Sequence, residues 1–491
     1  MKRFSTVAMS ILFVSILVSP AQGNQSSQGK EDSEAKRVAN YWTDARVSSA
    51  TPRDFLVDTA GNTFMGDKNG KISNYGDGTK FKSNSIENIN LDAVSTQVQI
   101  PQAGPVKLAD TLGPVITGMT PVNGATSSST TNTFVGIVTD VSGIRSVSIN
   151  LRSPTGVTTS YSANRQSRTS NNWSSTIRNL TSGTWSWTIT AIDSSTTSNQ
   201  TVSPTFTLAI STPTTNSSWK TASPVLSASG RLLFEMPTNT SLTTWAAYVC
   251  SASVVNDGST TDGQSLLLTA AHCVYDDTNK SFARNVIFIP NQQASGTRTD
   301  SNCANDIYGC WVMNFGIVDT DWTTRVFPNN IPWDYGYYVV SNTGKHRMGT
   351  TPNVSDSLET AVSPMSVNFT SPLSSNTSAF GYSYSSDPNL MYCAQSRGVA
   401  NGTTAASSDN WWLNVCGLSG GASGGPWVDE NSVAGSGQIF SVNSWGYTNS
   451  PGMAGPKLNG SSKTVRSKLP ICIYNSAKLP MTANKVVTVC P

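Results

Sequence analysis

Histidine is nearly missing from this chain: its 491 residues include two, His272 and His346. A metal centre built on several imidazoles is therefore not expected. Charge is sparse as well, with 12% of residues Asp, Glu, Lys or Arg and a formal net charge of +3. So even a balance leaves no footprint for nucleic acid or for an anionic membrane. Cysteine does not occur before Cys250. Past the N-terminal two dozen residues no apolar run is long enough to span a bilayer.

What is present is Ser, Thr, Asn and Gly in abundance, with enough apolar residues for real cores. This is a strand-leaning globular composition, and the length suits two or three domains. The chain opens with Lys2 and Arg3, then an apolar stretch from Val7 to Val18, then small residues at Ala21 and Gly23. That pattern predicts a signal peptide over 1–23, cut after Gly23. The apolar stretch, about 12 residues, is too short for a membrane span, and no cysteine at the cut offers a lipid anchor. A secreted protein is expected, extracellular or periplasmic in transit. The eight cysteines are Cys250, Cys273, Cys303, Cys310, Cys393, Cys416, Cys472 and Cys490. An even number in an exported chain implies disulfides. Their spacing groups them as neighbours, 250 with 273, 303 with 310, 393 with 416 and 472 with 490, although sequence alone does not fix the pairing. Without C-x-x-C spacing or clustered histidines, no metal is expected.

Four regions follow the leader. Residues 24–110 begin polar and charged, as a disordered segment would, then carry weak strand alternation in "DFLVDTAGNTFM". They form a pro-segment or a spacer. Residues 111–210 alternate apolar and polar side chains at Phe134–Val138, Val147–Leu151 and Trp185–Ile189, with turn residues between. That predicts a β-sandwich, and the "VTDVSGI...SV" element resembles bacterial immunoglobulin-like modules. Residues 211–220, "STPTTNSS" at their core, read as a linker. Residues 221–491 carry the cysteines, favour short strands and show no long amphipathic helix.

Two short stretches point to chemistry. In "LLLTAAHC" (266–273) an apolar run leads into His272 and Cys273. In "CGLSGGASGGPW" (416–427) Ser423 sits among glycines, which allow a tight turn and bring backbone N–H groups near a substrate oxygen. Residues 421–425 also fit G-x-S-x-G, but the fold that uses that elbow places its histidine after the serine, and here none follows. "TAAHC" followed by "GxSGGP" resembles the chymotrypsin-like, trypsin-type serine peptidases, over about 225–460. The resemblance implies a double β-barrel, so the whole chain is expected to be all-β: an immunoglobulin-like sandwich, then a two-barrel peptidase domain. It implies a triad of His272, an aspartate and Ser423, an oxyanion hole from the N–H groups of Gly421 and Ser423, and a Cys250–Cys273 bridge clamping the histidine loop. For the acid it favours Asp334, whose Asp-Tyr-Gly context opens a strand, over Asp319, Asp321, Asp276 and Asp277. "SVNSWGY" resembles the family's cleft strand, so Ser444, Trp445 and Gly446 would bind substrate backbone.

The chain also departs from that family. Ala422 stands where an acid usually precedes the nucleophile, so activation through that acid is not expected. Gly417 holds the pocket position that is Asp in trypsins, and Asn443 the position that is His in relatives cutting after Glu. A neutral or apolar side chain is therefore expected before the cut. His346, in the polar "TGKHRMG", reads as a loop residue. The function implied is secreted endopeptidase, needing no cofactor, acting on protein or peptide, as a monomer, free of nucleic acid and of membrane after leader removal. The rivals are a catalytically silent homologue acting as an adhesin or binding module, and an esterase with the same triad.

Overall fold

The computed structural model describes residues 24–58, 60–76, 78, 110–127, 129–167, 169–259, 262–341, 345–346, 357–370, 372, 376–399, 410–429, 435–459 and 470–488. The expected leader lies outside them, as does Cys490. Strands dominate what is described.

The middle region folds as two sheets. One runs Asn164–Arg165, Asn172–Ile177, Asn132–Thr139, Val115–Thr120; the other is built on Gly183–Asp193 and Ile144–Arg152. The period-two reading is visible in the burial: Phe134 and Val138, then Val147, Ile149 and Leu151, point inward with Trp187 and Ile189. Inward-facing side chains from two sheets sharing one core make a sandwich.

The cysteine-bearing region contains a ten-stranded sheet whose centre is Arg284–Pro290, Ser229–Pro237, Trp245–Val255, Gln264–Thr269 and Gly336–Ser341. The three leucines 266–268 lie in this sheet, fully buried. A five-stranded sheet carries Asn376–Gly381, Pro426–Asp429 and Ile439–Val442, and a seven-stranded one carries Asn410–Leu413, Met453–Pro456 and Trp445–Tyr447. Disulfides join Cys250 to Cys273, Cys303 to Cys310 and Cys393 to Cys416. Cys472 is disulfide-bonded too.

Three expectations are corrected. Residues 24–50 are helical, as Asn24–Tyr41 and Asp44–Ser49. Ala35 and Val38 on the first helix, Trp42 between the helices and Val47 on the second bury against Leu233, Val249, Ile287 and Ile289, which orders an otherwise polar segment. The expected linker holds a strand, Thr214–Ser218, paired with Met391–Ser396, so its threonines complete a sheet rather than hang free. His346 belongs to a short strand, Lys345–His346, pairing with Cys310 and Trp311.

The fold also buries acids away from the cleft. Glu359 accepts a hydrogen bond from the Asp257 N–H at 3.1 Å. Burial, reinforced by the charge of Asp257, pushes its carboxyl up from 4.5 to about 8. Burial and Asp300 raise Asp306 to about 7. A carboxyl raised in the folded state binds its proton more tightly there than in the unfolded chain. Its contribution to stability is complete below the unfolded value and is lost as pH rises through the folded one. The Tm of the Ser423→Ala protein is therefore expected to fall between about pH 5 and pH 9, and Glu359→Gln should flatten that slope. An unchanged slope in the Gln variant would remove Glu359 from the explanation.

Candidate active site

The histidine is placed by the ten-stranded sheet. Gln264–Thr269 runs out into a single 3-10 turn, Ala271–Cys273, which holds His272 fully buried. The Cys250–Cys273 bridge ties that turn to the neighbouring strand. Asp334 ends another 3-10 turn, Ile331–Trp333, just ahead of Gly336–Ser341. That strand pairs with the histidine's own, Thr269 opposite Gly336, and so the two side chains meet.

Their contact is specific. Asp334 Oδ2 lies 2.8 Å from His272 Nδ1, and Oδ1 accepts the His272 backbone N–H at 2.9 Å. Ser444 donates its hydroxyl to Oδ2 at 2.5 Å. An ionised carboxylate only accepts, so the ring nitrogen facing it carries the proton. That leaves Nε2 as the acceptor, and it has no hydrogen-bond partner among the described residues.

The other acids are occupied elsewhere. Asp276 pairs with Arg53 at 3.0 Å. Asp277 accepts from Tyr75 Oη, the Phe327 N–H and Asn330 Nδ2. Asp319 caps the short helix Thr320–Thr324, and Asp321 faces Arg325 at 3.5 Å.

Ser423 comes from the other side of the cleft, on the turn before Pro426–Asp429. Its carbonyl accepts the Ser251 N–H at 2.7 Å, and the Gly424 N–H donates to Asn443 O at 2.8 Å. Two glycines are required here. Gly421 and Gly424 have φ of +91° and +81°, and a Cβ on Gly424 would sit 2.0 Å from Thr269 Oγ1. Ala422 packs against Gly381, while Asn443 Nδ2 donates to its carbonyl. Asn443 thus braces the turn from within.

A cleft cavity of about 510 Å³ adjoins Ser423. Gly417, Ser444, Trp445 and Gly446, the residues expected to bind substrate, all line it. So do residues with no sequence signal for a role here: Pro52, Asp54, Phe55 and Leu56. Asp54 Oδ1 accepts the Ser423 hydroxyl at 3.1 Å and the Gly421 N–H at 3.3 Å. Burial raises the Asp54 carboxyl above the ordinary aspartate value, against the lowering pull of those two donors. Arg53 is buried beside it, donating to the His272 carbonyl at 2.8 Å.

Residues 227–353 match the family model described as the C-terminal domain of lysyl endopeptidase. The match holds His272 and Asp334 and ends before Ser423, and over it the chain is similar to a peptidase domain. No curated protein sequence matches the chain. Among solved structures, the fibronectin(III)-like modules of Clostridium thermocellum CbhA align at 10% identity with 36% of this chain and 86% of theirs, at a TM-score of 0.18. A likeness that low carries no argument about the fold. No helix among the described residues is long and apolar enough to cross a membrane.

Proposed function

We propose that this chain is a secreted serine endopeptidase of chymotrypsin-like, two-barrel architecture, preceded by an immunoglobulin-like module, with His272, Asp334 and Ser423 as its triad. One observation carries the reading: Asp334 takes up both the backbone N–H and the Nδ1 of His272, leaving Nε2 without a hydrogen-bond partner among the described residues, one residue from Cys273, whose Sγ lies 3.9 Å from the Ser423 carbonyl oxygen. In the mechanism, Ser423 Oγ attacks the peptide carbonyl carbon while His272 Nε2 takes its proton. The carbonyl oxygen becomes an oxyanion held by the N–H groups of Gly421 and Ser423. The imidazolium, stabilised by Asp334, gives its proton to the departing amine. Water then attacks the acyl-enzyme with His272 again as base, releasing the acid and restoring Ser423.

The lining of the cleft bears on the substrate. Its charged residues are Asp54, Asp67 and Lys68, all from the N-terminal segment. Asp67 turns its carboxylate to the N–H groups of Asn69 and Lys71 in its own turn. The wall contributed by the peptidase region is Gly417, Leu418, Ser419, Trp445, Tyr447 and Met453 with other uncharged residues. Burying a lysine ammonium there without a carboxylate would leave the charge uncompensated. The lysine preference in the matched family's name is therefore not carried over. Digestion of a peptide library, read by mass spectrometry, should show cuts after uncharged side chains, with lysine disfavoured by about tenfold or more, and no cuts with Ser423→Ala. A dominant lysine signature would overturn the specificity. Cutting that persisted in Ser423→Ala would overturn the mechanism.

One contact favours the silent-homologue reading. The Ser423 hydroxyl is bonded to Asp54, and no bond from it to His272 is formed.

A further inference from the structure

That contact has a second explanation, which rests on the peptidase reading. We propose that the segment from Thr51 to Asn74 is a built-in inhibitor, lying along the cleft in the orientation that presents no peptide bond to Ser423 and placing the Asp54 carboxylate where the reaction's oxyanion would form.

The segment is held like a ligand. Thr51 and Pro52 pair with Tyr248 and Val249, and Phe55, Leu56 and Val57 pair in parallel with Trp445, Gly446 and Tyr447. The second set is the strand expected to bind substrate backbone. The residues of the segment then occupy the machinery one by one. Arg53 binds the His272 carbonyl at 2.8 Å, Asp276 at 3.0 Å and Tyr75 Oη at 2.8 Å. Tyr75 in turn donates to Asp277 at 2.5 Å. Phe55 lays its ring 4.6 Å from the His272 ring and is almost wholly buried among Tyr75, Phe327 and Trp322. The fit at the nucleophile turn is tight enough that a Cβ on Gly420 would sit 2.5 Å from Asp54 Oδ2.

The chemistry of the contact explains why such a segment would not be cut at Asp54. Gly421 N–H and the Ser423 hydroxyl both point at a carboxylate oxygen, which carries the negative charge that an oxyanion hole is arranged to bind. The atom offered to Ser423 is thus an anionic acceptor. Attack on its carbon would have to expel an oxide, and no leaving amine is present. Meanwhile the Ser423 proton is directed toward Asp54, away from the His272 nitrogen that must receive it.

The test compares the labelling rate of Ser423 by a fluorophosphonate in the secreted full-length protein and in two variants. Asp54→Ala/Phe55→Ala removes both occupying side chains. Leu56→Pro removes a strand N–H while leaving the buried Phe55 in the sequence, so the test survives if the first variant fails to fold. Circular dichroism and a thermal melt establish folding. The expected result is slow labelling of the parent and at least tenfold faster labelling in a folded variant, lost when Ser423→Ala is added. If the parent is labelled as fast as the folded variants, the inhibitor proposal fails while the peptidase reading stands. If no folded variant is labelled, both fail.

Discussion

Replacing Asp334 by Asn is expected to lower kcat by about 10⁴-fold once the cleft is open. Three donors converge on this carboxylate: the His272 N–H, His272 Nδ1 and the Ser444 hydroxyl. An asparagine offers one acceptor oxygen and one donor NH₂. If the NH₂ faces His272 Nδ1, that nitrogen must become an acceptor. The proton then sits on Nε2, and Ser423 loses its base. If the NH₂ faces the backbone N–H instead, two donors confront each other in a buried site, and the histidine turn must shift. The first outcome removes the reaction's proton acceptor and the second moves it out of place, while the fold persists at a cost of about 1–3 kcal/mol. Steady-state kinetics on a peptide ester and a thermal melt would separate the two effects. A kcat within about tenfold of the parent would mean that Asp334 is a structural acid and that the base is oriented by another group.

Ser423→Ala is expected to cost as much or more, about 10⁴-fold at least in kcat. Its effect should not add to that of His272→Ala or Asp334→Asn, because the three act as a unit in one proton-coupled attack. Removing one hydroxyl from a turn anchored by the Ser251 and Asn443 backbones should leave Tm nearly unchanged. Measured singly and together, multiplicative losses in the double variant would contradict a shared mechanism.

The residues proposed for the reaction were singled out in the sequence because their local contexts are themselves structural requirements. His272 follows a core strand and precedes a bridged cysteine. Ser423 sits on a turn where φ is positive at Gly421 and Gly424. Asp334 comes just before a strand, and the structure pairs that strand, Gly336–Ser341, with the histidine's own. The sandwich strands were legible because period two survives in the burial of Phe134, Val138, Val147, Ile149 and Leu151.

Asp54 was not legible. "DFLV" carries no more than a strand signal, and its partners are distant in the chain, with Asp54 and Ser423 separated by 369 positions. Parallel pairing of so short a strand depends on where a remote strand ends, which local pattern does not encode. The helix Asn24–Tyr41 was missed for a related reason. Its few apolar residues are diluted by charge, and they count only because a complementary surface around Leu233 and Ile287 covers them. Thr214–Ser218 has the composition of a linker, but its β-branched and hydroxyl side chains also suit a sheet edge.

The central claim is that Ser423 is an activated nucleophile. Its most direct measurement is the mass of the peptide bearing residue 423 after the folded Asp54→Ala/Phe55→Ala or Leu56→Pro variant has been treated with a fluorophosphonate and digested. The expected result is a phosphonyl adduct on Ser423, abolished by His272→Ala. An unmodified Ser423 in protein that melts cooperatively with its disulfides intact would contradict it, and would leave a folded chain whose function lies outside this cleft.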